Sequence, residues 1–121
     1  MMPAMIEQRE GRVTVITPAG NLVTDEENRG LEDAQRGAVD RGDPRIVVDM
    51  RRVQIINSIG FGVILDGFRR AGIARARFCL CAMTPRVHYL MNMLHLIPTL
   101  EYFPTLDEAL AALAADDAKK G

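Results

Sequence analysis

Apolar and polar positions along this chain fall into short blocks whose period switches repeatedly between that of a strand and that of a helix. Val13-Thr14-Val15-Ile16-Thr17 is β-branched throughout, a composition that favours a pleated strand. A shorter run at Ile6 to Arg9 precedes it, and Glu10-Gly11-Arg12 fits a tight hairpin turn between the two. Ile46-Val47-Val48 stays apolar up to Asp49, as expected of a strand covered on both faces. Arg77-Phe78-Cys79-Leu80-Cys81 reads as a further strand, and a short last one is expected around Thr99 to Tyr102.

Helical spacing fills the intervals. Gly20-Asn21 ends the second strand, and a helix is expected from Asp25 to Arg41, stopped by Gly42-Asp43-Pro44. Leu22, Leu31, Ala34, Ala38 and Val39 make its inner stripe, and Glu26, Glu27, Arg29, Glu32, Asp33, Arg36 and Asp40 its solvated side. Gly30 and Gly37 each cost it about 1 kcal/mol of propensity. Phe61, Ile64, Leu65 and Phe68 follow the i, i+3, i+4, i+7 rule and predict a helix from Ser58 to Ala71, with Gly72 as its stop. Gly67 would let that helix approach the sheet closely. Thr84-Pro85 is a strong start for a helix to Met93, with Val87, Leu90, Met91 and Leu94 inward and Met91 and Met93 as core filler. Thr105-Leu106-Asp107-Glu108 is a capping box opening a helix over Leu106 to Ala115.

The resulting order, β-β-α-β-α-β-α-β-α, calls for an α/β fold with a mostly parallel sheet, an N-terminal hairpin and four helices. Residues 1–5 are expected to be flexible, residues 6–115 to form the domain, and residues 116–121 to fray.

Composition narrows the function. With 121 residues and 48% hydrophobic side chains, the chain supports one folded domain. A net charge of −1, with acids and bases mixed along the sequence, gives no electrostatic case for nucleic acid or an anionic membrane. The Met-Met-Pro-Ala-Met start is no secretory signal, and no apolar run reaches a membrane span, so a cytoplasmic protein is expected. Cys79 and Cys81 are expected on opposite faces of their strand, as buried free thiols rather than a redox or metal pair. His88 and His95 lie seven residues apart with no carboxylate or thiol at metal-ligand spacing. Asp49, before Arg51-Arg52, could balance that pair, accept loop N–H groups or face a ligand, but has no second carboxylate for acid–base work. Gly60, Gly62 and Gly67 do not form a dinucleotide or P-loop pattern. No cofactor and no catalytic group is expected.

Polar chemistry gathers at Ile55-Ile56-Asn57-Ser58-Ile59-Gly60, between a strand and a helix start. Asn57 and Ser58 there fit two roles: plain helix caps, or a tip offered to a partner. Asn57, Ser58, Ile59 and Phe61 are expected to be exposed and, with Gly60, to form a recognition patch that Asp25 borders at the same end of the sheet. A phosphoryl group on Ser58 would gain the free N–H groups of the helix start.

The segment Ile46-Val47-Val48-Asp49-Met50-Arg51-Arg52-Val53-Gln54-Ile55-Ile56-Asn57-Ser58-Ile59-Gly60-Phe61-Gly62-Val63 resembles the signature of STAS domains. These are the small bacterial anti-sigma factor antagonists and their relatives. Their pattern is a hydrophobic strand ending in Asp-Leu, then Asp-Ser-Ser-Gly-Leu-Gly and a helix. Gly20-Asn21-Leu22, Leu90 to Leu96, and Tyr102-Phe103-Pro104-Thr105-Leu106-Asp107-Glu108-Ala109 extend the similarity over nearly the whole chain.

The resemblance implies a non-enzymatic switch that binds an anti-sigma factor with ATP-dependent serine kinase activity. In that family the kinase phosphorylates the second serine of the motif and a phosphatase reverses it. Asn57 stands in the place of the motif's Asp, Ser58 in that of the first serine, and Gly60 and Gly62 in those of the two glycines. Ile59 replaces the phosphoacceptor, which excludes ordinary switching there. Three readings follow: an antagonist that binds constitutively, a scaffold or decoy in a partner-switching pathway, or a relative modified at Ser58. Self-association is a further open point, and an enclosed apolar pocket would favour a small-molecule- or lipid-binding sensory module instead.

Overall fold

The computed structural model describes residues 5–95 and 100–120, the side chains of residues 6 and 116–120 excepted. In chain order the elements are β1 (Met5–Glu10), β2 (Val13–Pro18), α1 (Asp25–Asp40), β3 (Arg45–Asp49), α2 (Ser58–Ile73), β4 (Arg77–Cys81), α3 (Pro85–Met93), β5 (Glu101–Phe103) and α4 (Leu106–Lys120). The strands form a single sheet in the order β1-β2-β3-β4-β5. β1 and β2 pair antiparallel around a turn where Gly11 takes φ 65°, and each later neighbour pairs in parallel. This is the mostly parallel α/β fold that the alternating sequence implies. Residues 1–4, Gly121, and Thr99 with Pro98 before the last strand lie outside the described residues.

The sheet separates two apolar cores. Ile16, Ile46, Val48, Phe78 and Leu80 face α1, α2 and α3, whereas Val13, Val15, Val47, Cys79 and Cys81 face Ala109 and Leu113 of α4. The two cysteines therefore share a face, contrary to expectation, because residues two apart in a strand project the same way. Burial pushes both thiols up to about 12, which keeps them protonated and inert.

The helices correct several expectations. Leu22 precedes α1 rather than belonging to its stripe, and pairs with Ile56 in an isolated parallel bridge. α2 runs past Gly72 to Ile73, and the left-handed residue that turns the chain is Arg75, at φ 61°. Met93, two residues beyond buried Met91, lies on the outer side of α3, and Leu94 caps its end, so both point outward instead of filling the core, at 60% and 53% exposure.

α1 and α2 meet through polar side chains set into glycines. Asn28 and Gln35, two turns apart on α1, are buried against Gly60 and Gly67, two turns apart on α2. Gln35 Nε2 donates to the Val63 carbonyl at 2.9 Å. A Cβ at Gly67 would stand 2.5 Å from that nitrogen, so Gly67 serves the contact between helices rather than an approach to the sheet. Gly67→Ala is expected to cost about 1–2 kcal/mol, and much less in a Gln35→Ala background. Urea unfolding of the four variants checks this; equal losses in both backgrounds would refute it.

A charged cluster ties the hairpin to the start of β3. Buried Asp43 accepts from Thr14 Oγ1 at 2.7 Å and Arg41 Nη2 at 2.8 Å, with Arg9 Nη1 at 3.6 Å; Arg41 also bonds Glu7. Burial raises the Asp43 pKa, but the Thr14 hydroxyl and the Arg41 guanidinium outweigh it and hold the carboxyl below its usual value. A depressed carboxylate stabilises the fold fully above its unfolded pKa, and that contribution fades as pH falls through the folded one. The stability gap between the wild type and Asp43→Asn is thus expected to be constant from neutrality to about pH 5 and to close below that. Urea titrations across that range measure it, and a gap that persists in acid would contradict the assignment.

Candidate functional site

The loop between β3 and α2 crosses the carboxyl end of the sheet and is fastened at both sides. Thr84 Oγ1 donates to the Val53 carbonyl at 3.3 Å on the β4 side. On the β2 side Asn21 Oδ1 accepts the N–H groups of Gln54 and Ile55, each at 3.0 Å. Leu22 N–H then reaches the Ile55 carbonyl at 3.0 Å, and Asn57 N–H reaches the Leu22 carbonyl at 3.1 Å. The two backbone bonds extend the parallel β2–β3 pairing as an isolated bridge up to Asn57, the residue before α2.

Asn57 caps α2 and uses both ends of its amide. Oδ1 accepts from Gly60 N–H at 2.9 Å and from Asn28 Nδ2 at 3.3 Å, while Nδ2 donates to the Val23 carbonyl at 2.9 Å. A carboxylate here could make the first two contacts but not the third. Asn57 is thus half-buried, and its side chain serves as the cap of α2.

The rest of the tip divides sharply. Ser58 is exposed, and its hydroxyl makes no hydrogen bond among the described residues. Ile59 is 56% exposed, and Val23 and Ile55 on the adjoining loops are 41% and 46% exposed. Gly60 and Phe61, expected in the exposed patch, are buried instead: Phe61 packs into the core on the same side as Ile64. Asp25, exposed in the first turn of α1, shares with Ile59 a shallow hollow of about 150 Å³ that Asn28, Arg29, Glu32 and Val63 complete.

Sequence reasoning missed Asn21, Asn28 and the apolar rim of Val23 and Ile55. It also missed the Thr24–Glu27 capping box, a legible Thr-x-x-Glu spacing. The Glu27 carboxylate, held below its ordinary pKa by the N–H groups of Thr24 and Val23, starts α1 beside the tip. Of Asp49's candidate roles, the structure provides the local ones. Buried Asp49 accepts from Arg51 N–H at 3.2 Å and sits 3.3 Å from the Arg51 guanidinium. His88 packs on the Tyr102 ring at 5.2 Å, and His95 turns the chain after α3. Among the described residues no group of three or more His, Cys, Asp or Glu could hold a metal, and no helix is long and apolar enough to cross a membrane.

The model of the STAS domain matches residues 4–109. The chain belongs to the STAS domain family. Solved structures agree on the fold. An anti-sigma factor antagonist from Mycobacterium paratuberculosis is 24% identical, with a TM-score of 0.80 over 89% of this chain and 91% of that one. A STAS domain protein from Planctomyces limnophilus is 23% identical, with a TM-score of 0.78 over 91% and 97%. The antagonist SpoIIAA in its unphosphorylated form is 21% identical, with a TM-score of 0.78 over 93% and 97%, and the Bacillus protein is also known phosphorylated. A comparison with curated protein sequences finds no match.

Proposed function

We propose that this STAS domain is an antagonist-type regulator of bacterial transcription that docks on an anti-sigma factor of the ATP-binding serine kinase type. Docking uses the 57–61 tip, with Asp25 at its border, and proceeds without phosphate transfer to position 59. The observation that carries this reading is Ile59, exposed at the start of α2 between Val23 and Ile55 where the family motif has its acceptor serine. An isoleucine cannot take a phosphoryl group, and an apolar side chain projecting from a helix start suits a dry socket on a protein. Partner switching in the cytoplasm then rests on binding alone or on Ser58, the neighbouring free hydroxyl. A phosphatase enters only in the second case. Asn57, Gly60 and Phe61 act from beneath, as the frame that presents Ser58 and Ile59.

The test is capture of partners by the purified chain, with and without ATP. Wild type is expected to retain an ATP-binding protein that Ile59→Glu loses at least tenfold, since a buried unpaired carboxylate opposes the contact. Retention of every partner by Ile59→Glu would remove the tip from the interface. Phosphate incorporated by the captured kinase into wild type but not into Ser58→Ala would assign the switch to Ser58.

A further inference from the structure

Acids and bases are mixed in sequence, but the fold sorts them across the carboxyl end of the sheet. α1 follows β2 across the segment 19–24, and its exposed Asp25, Glu26 and Asp33 line a hollow of about 480 Å³ with Arg29 as the opposing charge. The apolar tip of Val23, Ile55 and Ile59 comes next. Beyond it, where Thr84 fastens the loop to the start of α3, stand Arg51, Arg52 and Arg86, all exposed. Arg51 leans on Asp49, but Arg52 and Arg86 form no ion pair among the described residues. The chain carries no carboxylate between Asp66 and Glu101 to offset them. One end of the molecule thus presents an acidic flank, an apolar centre and a basic flank in a row.

We propose that two copies of the chain pair tip to tip about a two-fold axis, the acidic flank of each lying on the basic flank of the other. A two-fold rotation through the centre carries acid onto base, base onto acid and the apolar patch onto itself, as an isologous contact requires. The apolar centre is small, so the dimer belongs to the weak, rapidly exchanging class and is sensitive to salt. Pairing covers Ile59 and Ser58, so the dimer is a reserve form in which the tip is unavailable. This pairing goes beyond the partner assignment and is independent of it: a strictly monomeric chain can still dock on an anti-sigma factor, and a dimer can form whatever the partner is.

Sedimentation velocity of the full chain, from micromolar to near-millimolar concentration and at low and high salt, tests the pairing. A concentration-dependent dimer that weakens in high salt is expected. The variants Asp25→Arg/Glu26→Arg and Arg52→Glu/Arg86→Glu, shown folded by circular dichroism, are each expected to dimerise at least tenfold more weakly, because like charges then face each other twice. An equimolar mixture of the two is expected to recover wild-type strength, since in the mixed dimer one contact is native and the other is restored with its signs exchanged. A monomer at all concentrations, or a mixture that fails to recover, overturns the proposal and leaves the surface to a different protein.

Discussion

Gly60→Val is expected to lower the stability of the domain by about 3 kcal/mol, the upper part of the range for forcing extra atoms into a packed interior. A Cβ at this position would stand 2.7 Å from Cγ1 of buried Ile56, 3.1 Å from Asn28 Oδ1 and 3.1 Å from the Leu22 carbonyl oxygen. The last is backbone held by the bridge to Asn57, so nothing there yields easily. Gly62, the second glycine of the motif, is exposed and has no atom within 4 Å of an added Cβ. Gly62→Ala is accordingly expected to raise stability by about 0.5–1 kcal/mol through helix propensity. Urea unfolding of both variants distinguishes a glycine required by packing from one that is not; similar losses at the two positions would refute the distinction.

Asn57→Ala is expected to cost about 2–3 kcal/mol, because one side chain makes three bonds at the join of β2, α1 and α2. The cap alone accounts for about 1 kcal/mol, and the rest comes from the buried Asn28 amide left without its partner, since water can reach the exposed Val23 carbonyl. Asn57→Asp, which restores the motif's carboxylate, should lose less. It keeps the Gly60 and Asn28 contacts and gains from the helix dipole, but sets an anionic oxygen against the Val23 carbonyl. Thermal unfolding ranks the three proteins, and an Asp variant weaker than the Ala variant would contradict this account.

Most of the architecture was legible because each segment's local chemistry agreed with its place in the sheet. The β-branched run in β2, the uninterrupted apolar β3 and the Thr-Pro start of α3 all formed the expected elements. Strand order was not legible, since pairing partners leave no mark in a single chain. Phe61 was misplaced although its spacing with Ile64 and Phe68 already put it inward; the motif's position drew attention to the surface instead. Asn28 and Gln35 were invisible for a different reason. Hydropathy assigns amides to solvent, and only the matching seven-residue spacings of Asn28 with Gln35 and Gly60 with Gly67 hint at a shared seam. Leu94 turned outward because α3 ended one residue before it.

That seam has a mechanical corollary. With two amides seated in two recesses, α2 has one admissible setting along α1, and sliding it by a residue would unseat both at once. The projecting isoleucine therefore rides on a helix whose register against its neighbour is fixed by packing. An encounter with another molecule would find its contour ready-made, and little internal freedom would be surrendered on association.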